Sequence, residues 1–123
     1  MNCPKCTAEM FPEKFNQIVV DRCSGCGGLW FDIGELNLLK EMEGSEEIDA
    51  GQPKVGKLYD KVDRTINCPR CATALTRMAD KQQPHIHLDL CKTCTGVFLD
   101  AGEFKDLKSH TLLDYVKDFF SRS

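Results

Sequence analysis

The fold class the sequence predicts is a small α+β chain made of two similar modules in tandem, each of short antiparallel strands with one capped helix, followed by a terminal amphipathic helix. Three observations predict it. Eight cysteines, with none left over, fall into four Cys-x-x-Cys pairs at Cys3/Cys6, Cys23/Cys26, Cys68/Cys71 and Cys91/Cys94. The pairs repeat, Cys68 lying 65 residues after Cys3 and Cys91 lying 68 after Cys23, so the second copy carries three extra residues between its pairs. Behind each second pair, a short apolar run gives way to residues with helical spacing.

A Cys-x-x-Cys turn wraps one metal ion, and two such turns complete the four-sulfur tetrahedron that zinc prefers. Cys3, Cys6, Cys23 and Cys26 are therefore expected to hold one zinc ion, and Cys68, Cys71, Cys91 and Cys94 a second. A disulfide framework is the competing use of the same cysteines. With Cys3 so close behind Met1, no secretory signal is expected ahead of the motif, and reduced thiols in a cytoplasmic protein are the expectation. A thioredoxin-like redox pair would open a helix in a strand-helix-strand unit, and none of the four pairs does. Iron in a rubredoxin-like site would use the same four sulfurs and make the chain an electron carrier.

Each half is near 40 residues, about the size below which a chain needs a metal or disulfides to fold. The charge of -3, from 16 basic and 19 acidic residues, falls to about -7 when two four-thiolate zinc centres are counted. No apolar run approaches the roughly 20 residues that cross a bilayer.

The boundaries expected are a first module over 1–43, a linker over 44–66, a second module over 67–109 and the terminal helix over 110–123. Outside the cysteines the halves match at Asn2/Asn67, Pro4/Pro69, Asp21/Asp89, Gly28/Gly96, Asp32/Asp100, Gly34/Gly102, Glu35/Glu103 and Leu39/Leu107. Each half reads in order as a metal knuckle, a strand pair, a second knuckle, a short strand and a helix. Ile18, Val19 and Val20 lead into the second knuckle of the first half, and Ile86, Leu88 and Leu90 alternate into that of the second. Leu29-Trp30-Phe31 and Val97-Phe98-Leu99 then complete a small antiparallel sheet in each half. The three-residue insertion is placed in the second hairpin.

Asp32 with Glu35, and Asp100 with Glu103, have capping-box spacing, which accounts for the paired carboxylates without catalysis. The helices that follow bury Leu36, Leu39 and Met42, or Phe104 and Leu107, and Gly44 is expected to stop the first. Gly44, Gly51, Pro53 and Gly56 punctuate a polar linker in which residues 57–62 form at most a helical turn, leaving the two modules free to move relative to each other. Leu112, Leu113, Val116, Phe119 and Phe120 recur on one helical face, opposite Asp114, Lys117 and Asp118. That stripe packs on the second module or serves self-association.

The runs Cys3-Pro4-Lys5-Cys6 and Cys23 to Leu36, repeated as Cys68-Pro69-Arg70-Cys71 and Cys91 to Phe104, resemble the transcription factor IIB-type zinc-ribbon family of small bacterial proteins. The two stretches cover about two thirds of the chain, and the departures, Phe98 for Trp30 and Phe104 for Leu36, keep the apolar character. The resemblance implies two tandem zinc ribbons with the eight cysteines as ligands, and a link to transcription.

Zinc ribbons serve as nucleic-acid binders, docking modules or structural appendages, so charge has to decide the partner. Residues 1–43 carry four basic and seven acidic side chains and residues 67–109 six and five. Arg70, Arg77, Lys81 and Lys92 supply the one basic surface for nucleic acid, and it is thin. Docking onto a protein partner is the leading expectation. Each expected centre has four protein ligands and no place for an activated water, so no enzymatic activity is expected. His85 and His87 are read as exposed hairpin residues rather than as a further metal site, and His110 as peripheral.

Overall fold

The computed structural model describes residues 1–60, 66–80 and 83–108. The expected terminal helix, with Leu112, Leu113, Val116, Phe119 and Phe120, lies outside them, as does Lys81.

In the first half β1 (Met10–Phe15) and β2 (Ile18–Cys23) form a hairpin, closed by Asn16 and Gln17 with Asn16 at φ 54°. Asn tolerates that left-handed conformation at little cost, which is why a two-residue turn suffices. Strand β3 (Leu29–Phe31) pairs with β2, and helix α1 (Glu35–Lys40) follows. The second half repeats the order with β4 (Thr76–Ala79), β5 (His87–Leu90), β6 (Val97–Leu99) and a helix, α3, over residues 103–108. The longer β4–β5 connection takes up the three-residue insertion.

The two halves are not separate lobes. Strand β3 pairs antiparallel with β6, in the register Leu29↔Leu99, Trp30↔Phe98 and Phe31↔Val97, giving one six-stranded sheet in the order β1-β2-β3-β6-β5-β4. This overturns the expectation of modules that move on a passive linker. The reason lies in the runs themselves: three consecutive apolar residues suit a strand buried on both faces, and every residue of β3 and β6 is buried.

Alternation along the paired strands sorts the core into two layers. Leu29, Phe31, Val97 and Leu99 face the helices, packing with Leu36, Leu39, Phe104 and Leu107, and Phe31 meets Phe104 at 5.4 Å between ring centroids. Trp30 and Phe98 face the opposite way, among the cysteines of both halves. Each layer draws on both copies of the repeat, so neither half has a core of its own.

The linker is also ordered where it is described, and its helix comes earlier than expected. Gly44, at φ 81°, opens a 3-10 turn over Ser45–Ile48 rather than ending α1, which stops at Lys40. Helix α2 occupies Pro53–Lys57, with Pro at its first turn where the missing N–H costs nothing. Ile48 is buried in the helix-side core. Asp49 is buried too, and its carboxylate accepts the N–H groups of Gly102 at 2.9 Å and Lys105 at 3.0 Å. The linker thus caps α3 of the second half. Lys108, buried at the other end of that helix, donates to the Met42 carbonyl and the Ser45 hydroxyl, both at 2.6 Å, and to Glu46 at 2.8 Å.

Candidate metal centres

Four knuckles with one backbone design position the cysteines. In each, the N–H of the residue after the second cysteine donates to the carbonyl of the first: Thr7 to Cys3, Gly27 to Cys23, Ala72 to Cys68 and Thr95 to Cys91, at 2.8 to 3.2 Å. In each, the N–H of the first cysteine donates five residues ahead, to Ala8, Gly28, Thr73 and Gly96, at 2.7 to 2.9 Å. The loop closes only if the residue after the second cysteine is left-handed, and Thr7, Gly27, Ala72 and Thr95 have φ of 68°, 77°, 61° and 60°. Three of those four positions are not glycine and carry strain of about 1 kcal/mol or more each.

The knuckles bring the eight cysteines together as the sequence predicts. Cys3, Cys6, Cys23 and Cys26 form one group and Cys68, Cys71, Cys91 and Cys94 the other, the sulfurs of each lying within 4.8 Å of one another. Cys3 and Cys26 are 3.6 Å apart at sulfur, Cys6 and Cys23 3.2 Å, and Cys68 and Cys94 3.8 Å. A zinc tetrahedron with bonds of about 2.3 Å has sulfur–sulfur edges of roughly 3.8 Å, so both donor sets fit the ion, and all eight cysteines are free of disulfides.

Backbone donors surround the sulfurs. Lys5 N–H reaches Cys3 Sγ at 3.3 Å, Gly25 and Cys26 reach Cys23 at 3.3 and 3.4 Å, Arg70 and Cys71 reach Cys68 at 3.4 and 3.3 Å, and Cys94 reaches Cys91 at 3.4 Å. Such bonds favour thiolate over thiol. The hydrogen bond with Cys3 holds Cys26 down to about 5 although burial opposes it, and the same bond, with burial, pushes Cys3 up. In the other group burial raises Cys91, but N–H donation from Cys94 and the Thr73 hydroxyl outweigh it, leaving about 6. Cys71 is pushed up to about 12, mainly by its bond with Cys94. Protons are thus shared unevenly in each quartet, and metal binding expels those that remain.

The aromatic pair explains a repeat match that sequence spacing leaves unaccounted for. A Cβ at Gly28 would lie 2.3 Å from Phe98 Cζ, and one at Gly96 would lie 2.3 Å from Trp30 Cζ2. Each ring therefore lies against the glycine that follows the other half's second knuckle. Only a residue without a side chain admits that approach.

Crossed ion pairs repeat the pattern. Arg70, between Cys68 and Cys71, forms a two-pronged pair with Asp32 of the first half, Nε to Oδ1 at 2.7 Å and Nη2 to Oδ2 at 2.8 Å, and lies 3.6 Å from Asp21. Lys5, between Cys3 and Cys6, reaches Asp100 of the second half at 3.1 Å and Asp60 at 2.6 Å. Arg70, aided by Trp30 Nε1–H at 3.0 Å, holds the Asp32 carboxyl below its usual range against burial. For Lys5 burial works against the charge, but Asp60 and Asp100 outweigh it and raise the ammonium above its ordinary value.

Asp32 is therefore not the side-chain cap its spacing predicts. Half of the box is present, Glu35 Oε1 accepting the Asp32 N–H at 2.8 Å, but α1 has no side-chain cap. For α3 that task falls to Asp49, 53 residues before Gly102. A basic residue in each first knuckle and an aspartate after each third strand were the visible signals of the crossed pairs.

Of the basic residues singled out for nucleic acid, Arg70 is engaged as described, Arg77 lies 3.6 Å from the buried carboxylate of Asp89, and Lys92 is exposed. His85 and His87 are exposed, and among the described residues they join no cluster of metal-ligating side chains. No helix among the described residues is long and apolar enough to cross a membrane.

No curated protein and no solved structure matches the chain. A family model described as "Transcription factor zinc-finger" matches it twice, over residues 2–42 and 67–110, each match spanning one cysteine quartet and the sheet and helix around it. With two tandem copies of that pattern on a strand and knuckle framework built for zinc, the chain belongs to this zinc-ribbon family.

Proposed function

We infer that the chain is a non-enzymatic protein whose two zinc centres are structural and whose work is to dock onto another protein, in the transcription machinery that the family description points to. The observation that carries this reading is that both metal sites have four sulfur donors each, leaving no ligand position for substrate or activated water. Chemistry at the metal has no place to occur. Thiolate centres of this kind suit a reducing compartment such as the cytoplasm.

Electrostatics favours protein over nucleic acid. Phosphate binding draws on several free cations on one face, whereas here Arg70 and Arg77 face aspartates of the same chain, and the zinc-loaded charge is about -7. The apolar stripe from Leu112 to Phe120 supplies one candidate surface for self-association or for a partner.

The test uses the zinc-loaded full chain as bait, alongside gel-shift titrations with duplex and single-stranded DNA at low salt. Retention of a defined protein, lost on chelation, is the expected result, with no shift of nucleic acid. Binding to DNA that weakens with salt and on replacing Arg77 and Lys92 by Ala would establish the nucleic-acid reading instead.

A further inference from the structure

The two halves are alike in sequence and paired through equivalent strands, but one surface is covered in the second half and open in the first. In the second half, the turn between β6 and α3 is overlain by α2. A Cβ on Gly102 would lie 2.6 Å from Pro53 Cγ, a Cβ on Gly56 would lie 3.5 Å from that of Ala101, and Ala101 is 5% exposed. In the first half the same turn carries Ile33 and Gly34. Among the described residues nothing lies within 4 Å of a Cβ on Gly34, Ile33 is 72% exposed, and Leu38 on the next turn of α1 is 58% exposed.

The chain's own α2 shows what such a surface accepts. Pro53 and Gly56 present small, flat contacts, and Lys57 lines one cleft with Asp100, Glu103 and Asp106. Asp32 and Glu35 stand where Asp100 and Glu103 stand in the other half, and exposed Glu41 and Glu43 lie just beyond α1, in a segment carrying seven acidic and four basic residues. Counting 68 residues on from Asp49, Gly51 and Pro53 gives Lys117, Phe119 and Ser121, so the residues that seat the linker are not repeated at that spacing.

We propose that the exposed surface of Ile33, Gly34 and Leu38 is the docking site for a short basic helical segment of another protein, seated as α2 is seated on Ala101 and Gly102. The segment carries a small residue at the contact and Lys or Arg at its flanks, matching the acidic rim. This rests on the docking reading above and gives it an address.

The test adds an amidated peptide of residues 50–59, Ala-Gly-Gln-Pro-Lys-Val-Gly-Lys-Leu-Tyr, to the zinc-loaded full chain and follows backbone amide resonances. Saturable shifts centred on Ile33, Gly34 and Leu38 are expected, with binding weakened about tenfold by Leu38→Lys and unchanged by Asp106→Ala. Leu38 is exposed, so the variant should keep both metal ions and the parent circular dichroism. Shifts confined to Ala101 and Gly102, or no saturable binding, would overturn the proposal. So would a concentration-dependent dimer abolished by Leu38→Lys, because the occupant would then be a second copy. A partner retained equally by the Leu38→Lys bait would remove this surface and leave the docking reading standing.

Discussion

At the scale of single residues, the backbone shape of a knuckle and the space beside it set opposite rules for the same two amino acids. Ala72 is exposed and held at φ 61°, where a Cβ is strained and nothing is gained from it. Ala72→Gly should therefore stabilise the zinc-loaded protein by roughly 0.5–1 kcal/mol, the relief of strain exceeding the added freedom of the unfolded chain. Thermal unfolding at fixed zinc would show it as a rise in midpoint. Gly96 is the reverse case, since the Cβ of Gly96→Ala would be driven into the Trp30 indole at 2.3 Å. Overpacking of that kind costs about 1–3 kcal/mol, and a variant as stable as the parent would mean that the indole is free to shift. The cysteines were legible in sequence because metal geometry restricts their spacing. The fit of Trp30 on Gly96 was not, because it depends on which face of which strand meets the other half.

At the scale of elements, propensity and pattern placed the strands well and the linker poorly. Leu29–Phe31 and Val97–Leu99 read as strands because their apolar runs are short and β-prone, and the extra three residues read as a hairpin insertion because the knuckles on either side are fixed. The helix of the linker is Pro53–Lys57, with hydrogen-bonded turns continuing to Asp60, so it starts ahead of the expected 57–62 turn and overlaps it, since proline at the first turn and the contact with Gly102 favour that start. Capping-box spacing likewise placed each helix start two residues early and named the wrong cap, because sequence distance says nothing about a carboxylate arriving from 53 residues away. Asp49→Ala should strip α3 of both bonds and cost about 1–2 kcal/mol. Hydrogen exchange would locate the loss, with the Gly102 and Lys105 amides losing protection first. Uniform loss across β1 to β3 would instead mean that Asp49 supports the sheet rather than the helix.

At the scale of the whole molecule, the continuous sheet ties the two metal centres into one folding unit. Trp30 of the first half and Phe98 of the second lie buried side by side among the cysteines of both quartets, and Lys5 and Arg70 carry each first knuckle's charge across to the opposite half. A half that lost its metal would therefore withdraw packing from the site of the other. Structural zinc supplies on the order of 10 kcal/mol or more of apparent binding free energy, far beyond what a core shared between two segments of about 40 residues provides. Zinc uptake by the metal-free chain should accordingly be cooperative. Native mass spectrometry during a zinc titration should show the ion-free and two-ion species with little of the one-ion form, and circular dichroism should report sheet and helix appearing together. Cys6→Ser, made in the first centre alone, should weaken zinc binding at Cys68, Cys71, Cys91 and Cys94 as well. Two independent, stepwise titrations with an unperturbed second site would show that strand pairing between β3 and β6 contributes little, and that the chain behaves as two separate ribbons.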